Sequence, residues 1–405
     1  MSKTLWIVGG GIETIPGVQI AKEMGLHVVV SDMNPKAPSF EYADDYVIAN
    51  TYDAKETVAK ALSYHQTVRP IDGVICIASD IPVTVAEVAK ALKLPGISVE
   101  SAQLAADKMA MKDQFKKDNV AIPWYKEIYS VDELKKAIQE IGYPIVIKPV
   151  DSRGARGVLK LTDKIDLDWA FKLSKSYSPT ERVMVEQFLD GPQISTESLI
   201  VDGIAHTPGF SDRNYKDMLK YEPFIIEDGG ELPSVLDKES WDAVKSLVEK
   251  GSKSMGIKNG VVKGDIVVCQ GVPHIIELAA RLSGGYFCSH EIPLNTGVHF
   301  VKQAIYQALG NKPSADELKP KFLKGVAQRY IFPKPGKVVD ILGVEEVSQQ
   351  SGIAMCEIRV KIGDEIGPIH NHPGRAGVII STAETREKAI EIAENAVKSI
   401  IIKTT

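Results

Sequence analysis

Two segments constrain this chain more than any others. Residues 145–150 (IVIKPV) form a β-rich run that closes on a lysine and leads straight into the glycine-rich turn 151–158 (DSRGARGV). Far downstream, residues 274–285 (HIIELAARLSGG) form an apolar run carrying Glu277 and, four positions on, Arg281 before a Gly-Gly pair. Backbone N–H groups in a glycine turn approach an anion closely, so the first segment suits phosphate. An acid and an arginine at the end of a strand are what Mg²⁺ and a transferring phosphoryl group require. Together they imply an ATP-using enzyme.

The 405 residues exceed one ordinary domain, and roughly 100–200 residues per domain implies two to four. The net charge of −5 gives no electrostatic reason to expect a nucleic-acid partner. Cys76, Cys269, Cys288 and Cys356 are scattered in apolar settings with no CxxC pair, which fits reduced thiols and a cytoplasmic location. The opening MSKTLWIVGGG is too short and too glycine-interrupted for a signal peptide, and no run of about 18 apolar residues occurs, so no membrane partner is expected.

Strand-like runs at 5–11, 27–33 and 72–79 alternate with helical patterns up to about residue 100, the signature of a parallel βαβ unit. Residues 104–125 read as a linker helix with Asp107 at its start. The helix 131–142, the lysine strand, the glycine turn, a further helix and the strand 183–189 then make a compact α+β unit. Strands dominate from 193 to about 310, with helices at 241–255 and 298–309. The rest alternates short strands with a closing helix at 385–399.

Lys148 needs a partner or a ligand if its ammonium is desolvated. A strand-end lysine reaching solvent is the plain alternative, and Ser152, Gly154 and Gly157 just downstream favour phosphate. Asp265 and Glu277 are acids inside apolar strands, suited to Mg²⁺ or to two structural salt bridges. Arg281 would stabilise a transferred phosphoryl group or grip a carboxylate, or be a surface arginine. The glycines at 9, 10 and 11 with Asp32 invite a dinucleotide reading, but their spacing departs from G-x-G-x-x-G, and a tight strand-to-helix turn is the simpler account. His370 and His372 in HNHP lack a third ligand at a recognisable spacing. The P-loop, nucleophile-elbow and protein-kinase motifs are missing.

In this order the motifs resemble the ATP-grasp superfamily of carboxylate-amine ligases over nearly the whole chain, and are most similar to its amino-acid and purine-pathway ligases. The resemblance implies a mixed α/β and α+β fold. Its parts would be an N-terminal parallel βαβ (pre-ATP-grasp) domain over 1–103, a small ATP-grasp lobe with linker helix over 104–190, a large lobe with the metal site over 191–319, and a small C-terminal α+β domain over 320–405. Lys108 and Lys148 match the two lysines that reach the ATP phosphates. Ser152, Arg153, Gly154, Arg156 and Gly157 match the loop that closes over them. Glu186, Gln187, Phe188 and Leu189 match the adenine hinge, and Gln193 stands where the family usually has a ribose-binding glutamate. Asp265 and Glu277 match the metal pair for Mg²⁺, with Mn²⁺ as an alternative. Arg281 matches the arginine of E-x-N-x-R and, with Lys148, is the implied catalytic residue. Ala279 replaces the motif's asparagine, so either water or a neighbouring group completes the metal set.

The resemblance implies phosphoryl transfer from ATP to a small carboxylate, amino acid included, and attack of an amine on the acyl phosphate. It is compatible with a homodimer. Arg213, Tyr215 and Lys216 lie where related ligases place substrate contacts, and Ser289 and His290, beside Cys288, are candidates for the acceptor pocket. Three alternatives stay open: a purine-biosynthesis ligase of the glycinamide or carboxylating type, a regulatory ATP-binding protein that has lost turnover, and a nicotinamide-dependent oxidoreductase.

Overall fold

The computed structural model describes residues 2–405. The N-terminal unit is a four-stranded parallel sheet of β1 (Thr4–Val8), β2 (His27–Asp32), β3 (Asp45–Ile48) and β4 (Gly73–Ile75) in the order β3-β2-β1-β4. Its apolar runs are buried on both faces, as parallel strands require. The glycine turn after β1 is held from within: Asp32 accepts hydrogen bonds from the Gly10 and Asn34 amides at 2.7 and 2.8 Å. That carboxylate serves its own loop, which accounts for the pattern without a dinucleotide.

The linker pattern resolves into two helices, Val99–Ala106 and Lys108–Lys117, with Asp107 capping the second through the Met109 and Ala110 amides. A serine-capped helix follows at Val131–Ile141: the Ser130 hydroxyl accepts from the Glu133 amide and the Glu133 carboxylate accepts from the Tyr129 amide, a reciprocal cap that fixes the start. The strands around it, β5 (Tyr125–Ile128), β6 (Ile145–Pro149), β7 (Leu159–Leu161) and β8 (Val183–Gln187), form an antiparallel sheet in the order β5-β8-β6-β7.

The rest of the chain builds one eight-stranded antiparallel sheet from β9 (Gln193–Val201), β10 (Ile204–Arg213), β11 (Gly230–Leu232), β12 (Gly260–Cys269), β13 (Val272–Ala279) and β14 (Gly325–Ile331), joined by two later strands. After β15 (Gly336–Leu342) come β16 (Ile353–Ile358), β17 (Glu365–Ile366), β18 (Gly377–Ala383) and β19 (Ile401–Thr404). The order is β13-β12-β9-β10-β11-β14-β18-β16, while β17-β15-β19 make a small sheet of their own. The expected line at 319/320 therefore runs through a continuous sheet, because β14, β18 and β16 extend the one that carries Asp265 and Glu277. The largest apolar core also crosses units: Leu5, Ile7 and Val30 of the first sheet pack in one cluster with Phe300, Ile305, Val326 and Ile380.

Gly191 joins the two lobes between β8 and β9. At φ +150° it lies so close to β12 that a Cβ there would sit 2.2 Å from the Val268 carbonyl oxygen. The contact is with backbone and cannot be relieved by a rotamer change. Gly191→Ala is expected to cost about 1–3 kcal/mol, read as a thermal unfolding midpoint several degrees below that of the parent chain.

Candidate active site

The pleat of the two small-lobe strands brings the first group together. Val146 of β6 pairs with Glu186 of β8, and Lys148 pairs with Met184, so Lys148 and Glu186 project from the same face. Lys112 reaches them from the helix Lys108–Lys117, one turn beyond Lys108. All three are buried, and Glu186 forms ion pairs with both Lys112 and Lys148. Burial pushes the Lys112 ammonium down to about 8, with Glu186 acting against the shift. Burial opposes the charge on Glu186, but the two lysines overcome it and hold its carboxyl below the ordinary range. Glu186 thus serves the lysines: its carboxylate is committed to them rather than free for an adenine.

The large lobe supplies the acids. Asp265 of β12 lies directly opposite Glu277 of β13 and opposite Ser195 of β9, with a bulge just after Asp265. Arg213 reaches the Asp265 Oδ1 at 2.8 Å, and Lys263 and Ser195 meet the same oxygen. Burial opposes the Asp265 charge, and Arg213 and Lys263 bring its carboxyl far below the usual range. Among the described residues the Oδ2 atom has no hydrogen-bond partner. Glu277 is partly exposed, with Lys108 Nζ 3.6 Å from its Oε2. An unpaired Asp265 oxygen and a carboxylate across the strand pair form a hard-oxygen set of the kind Mg²⁺ takes together with phosphates and water. The residues fit such an ion.

Arg281 leaves β13 and ion-pairs with Asp80, from the loop after β4. The same crossing is stitched by an Ile77–Leu282 bridge and by the Ala78 amide donating to the Leu282 carbonyl at 3.1 Å. The glycine loop is held at its rim. Lys108 Nζ donates to the Ser152 carbonyl at 2.9 Å, the Arg153 guanidinium lies 4.9 Å from the Tyr52 ring centroid, and the His372 amide donates to the Gly154 carbonyl at 3.1 Å.

These groups line two joined chambers. The first, about 270 Å³, is walled by Val146, Phe188, Leu189, Ile225, Ile266 and Ile276, with Lys108, Lys148, Gln187, Gln193, Asp265 and Glu277 around it. The second, about 560 Å³, contains Glu13, Glu227, Glu291, Gln328, Tyr330, Arg359 and Arg375. Asp80, Arg153, Gly154, Arg156, Arg213, Lys263, Arg281 and His372 line both.

Several expected site residues fall outside the chambers. Lys216 is turned outward and bonds Glu394 at 2.6 Å, because the segment after Arg213 bends away from the cleft. Ser289 and His290 face a separate hollow with Gln19, Glu23 and Lys302, and their side chains bond one another at 2.9 Å. The turn that carries them coils away after Gly285. Gly157, at φ +70°, packs on Pro149 and Tyr177 at the foot of the loop. Arg213 and Tyr215 do line the cleft. His370 stacks on Phe224 at 4.3 Å while His372 enters the site, so the two histidines do not converge on a metal.

Other functional positions carried weaker signals. Lys112 stands four residues after Lys108, and Lys263 two before Asp265, spacings that put each pair on one face. Asp80, Glu197, Glu227, Arg359 and Arg375 reach the site only through tertiary contacts.

Three family models match the chain: the ATP-grasp N-terminal domain over residues 18–96, the ATP-grasp domain over 105–285, and the L-amino acid ligase C-terminal domain 2 over 329–405. Alanine–anticapsin ligase of Bacillus subtilis is 27% identical over 232 residues, covering 52% of this chain and 49% of that protein. The chain thus matches about half the length of that relative. Among solved structures, the L-amino acid ligase from Bacillus licheniformis superposes with a TM-score of 0.84 at 22% identity, covering 100% of this chain and 99% of that one. The phosphoribosylglycinamide synthetase from Anaerococcus prevotii gives 0.78 at 22% identity, covering 100% of both. These likenesses show the fold.

Glu197, fully buried, accepts from the Ser283 amide at 3.1 Å. Burial raises its carboxyl from the ordinary 4.5 to about 7, against the pull of Ser283, Arg281 and Lys263. Below pH 4.5 the acid is neutral in both the folded and unfolded chain and costs nothing. As the pH rises from 4.5 to 7 the unfolded chain ionises while the buried acid stays neutral, so stability falls across that window and levels off above it. Glu197→Gln should remove that slope and stabilise the chain at pH 8 by an amount on the order of 3 kcal/mol, checked by thermal unfolding of both forms at pH 5 and pH 8.

Proposed function

The chain belongs to the ATP-grasp carboxylate-amine ligases, and we propose that it uses ATP to activate a small carboxylate, an amino acid in the simplest case, and joins it to an amine. The observation that carries this reading is the pair of joined chambers with cations at their junction. One is a slot with apolar walls and two lysines, sized for a nucleotide; the other is a polar room for the partner substrates. The L-amino acid ligase C-terminal match favours an amino acid over a ribonucleotide.

In this reading the apolar walls hold the base, and Gln193 meets the ribose in place of a carboxylate. Lys108 and Lys148 face the phosphates. Lys148 is aimed by Glu186, which keeps its ammonium in one place without cancelling the charge of both lysines. Mg²⁺, held by Asp265 and Glu277, would supply charge neutralisation on the phosphate oxygens. The substrate carboxylate oxygen attacks the γ-phosphorus, the bond to the β-phosphate oxygen breaks, and ADP leaves. The amine nitrogen then attacks the acyl carbon, the carbon–oxygen bond to phosphate breaks, and the nitrogen gives up a proton. Negative charge builds at the junction in both steps, where Arg281 and Arg213 stand fixed by Asp80, Glu227 and Asp265. Fixed donors of this kind need no reorganisation when the charge develops. The loop at 152–157, tied to Tyr52 and His372, covers the junction and keeps water from the acyl phosphate.

The test is ADP release and hydroxamate formation with Mg²⁺, ATP and hydroxylamine across amino acids and simple carboxylates, followed by mass spectrometry with amines. Hydroxamate from one amino acid is the expected result. Product only from a ribonucleotide would move the chain to the purine ligases, and ATP binding with no hydroxamate from any acid would overturn the reading. Arg281→Ala should lower kcat by about 10²–10³ while leaving affinity for an ATP analogue within a few-fold. Lys148→Met should weaken both.

A further inference from the structure

One acid in the second chamber has no counter-charge. Glu291 lies ten residues past Arg281, at the end of the single π-helical turn Phe287–Glu291, which the chain enters through Tyr286 in the left-handed region at φ +63°. Turns of this type concentrate at functional sites. The residue is 2% exposed and lines the chamber. Among the described residues its carboxyl has no ion-pair partner. Burial, with the charge of Glu227 added, raises it to about 8, and no cation opposes the shift.

The chamber's cations are engaged elsewhere. Arg359 is held by Glu13 and Glu357, Arg375 by Glu227, and Arg281 by Asp80. Arg153 and Arg156 belong to the phosphate loop, where the two chambers meet. The room is therefore cationic towards the nucleotide slot, while Glu291 lines the second chamber alone and takes no part in the shared wall. A buried neutral acid gains little from a neutral guest and loses with an anionic one. An ammonium group lets it ionise and accept charge-assisted hydrogen bonds in a place shielded from water.

We propose that Glu291 is the recognition residue for a primary ammonium group on a substrate of this chamber. The group is either the α-ammonium of the acid being activated or the amine that accepts the acyl group. The inference rests on the ligase reading for what enters the chamber, but its measurement does not require turnover.

The probes are the twenty L-amino acids and short diamines, each titrated beside its deaminated counterpart, such as L-alanine beside propionate. Titrations use the full chain loaded with Mg²⁺ and a non-hydrolysable ATP analogue, and are repeated with Glu291→Gln. At least one ammonium-bearing probe should bind the parent chain about tenfold or more tighter than its counterpart, with Glu291→Gln losing that margin. The parent chain's preference for ammonium is measured without the variant, so a folding defect in the variant would not mask the result. Equal binding of every bound probe and its counterpart, undiminished binding of the preferred probe to Glu291→Gln, or failure of every ammonium-bearing probe would each overturn the inference. Kinetics separate the two sources: a raised KM for the activated acid in hydroxamate formation by Glu291→Gln identifies its α-ammonium, whereas a raised KM for the amine alone, read by ADP release with acid and amine, identifies the acceptor. Ammonium binding without any hydroxamate would refute the ligase reading and leave the Glu291 site standing.

Discussion

One buried carboxylate, that of Glu186, sets the geometry of the nucleotide slot. It stands between two lysines drawn from different elements, Lys112 of the linker helix and Lys148 of β6. Charges taken out of water are expensive unless paired, and removing one partner of such a group typically costs about 3–5 kcal/mol. The linker helix is therefore bound to the small-lobe sheet by the same ions that position Lys148. Because one carboxylate cannot neutralise two ammonium groups, the cluster keeps a net positive charge facing the slot. In the proposed reading a phosphate arriving there would meet a charge already desolvated and oriented, the condition under which electrostatic stabilisation is strongest.

The same logic extends outward. Asp80 of the first unit holds Arg281, Glu227 holds Arg213 and Arg375, and the His372 amide from the last third of the chain fastens the loop at Gly154. Each unit thus contributes a charge or a backbone group to a junction that none could form alone. The shared core of Leu5, Ile7, Phe300 and Ile380 makes this workable, since packed apolar surface fixes the relative position of elements more rigidly than ion pairs at a wet boundary would.

How much of this could be read from the sequence depended on whether the signal was local. The lysine strand, the glycine turn, the two acid-bearing strands and the Asp107 cap are short-range patterns, and the structure holds each where its period or cap residue places it. Lys216, Ser289 and His290 were misplaced for the opposite reason: their neighbours in sequence lie at the cleft, but a bend after Arg213 and the π turn after Gly285 carry them away from it. The continuity of β14, β18 and β16 with the metal sheet was hidden as well, because antiparallel pairing across long separations leaves no mark in local composition. Glu291 lay beside two residues singled out for the acceptor pocket. The role proposed for it rests on a lack of counter-charge that only the folded chamber reveals.

The alanine in ELAAR takes on meaning from the strand pairing. Lys263 is the cross-strand partner of Ala279, just as Asp265 is of Glu277, so all four project from one face. A short side chain at 279 leaves space for the Lys263 ammonium to reach Asp265. An ammonium cannot ligate a metal, so the position that would have offered a third protein oxygen offers a positive charge instead. In the proposed reading two carboxylates would then remain for Mg²⁺, a number that suits an ion also held by water and phosphate. Some of the phosphate charge that a more completely caged ion would counter would then fall to Lys263, which lines the junction with Arg213 and Arg281. In that reading the departure from the usual motif would move positive charge from ion to side chain while keeping the junction cationic.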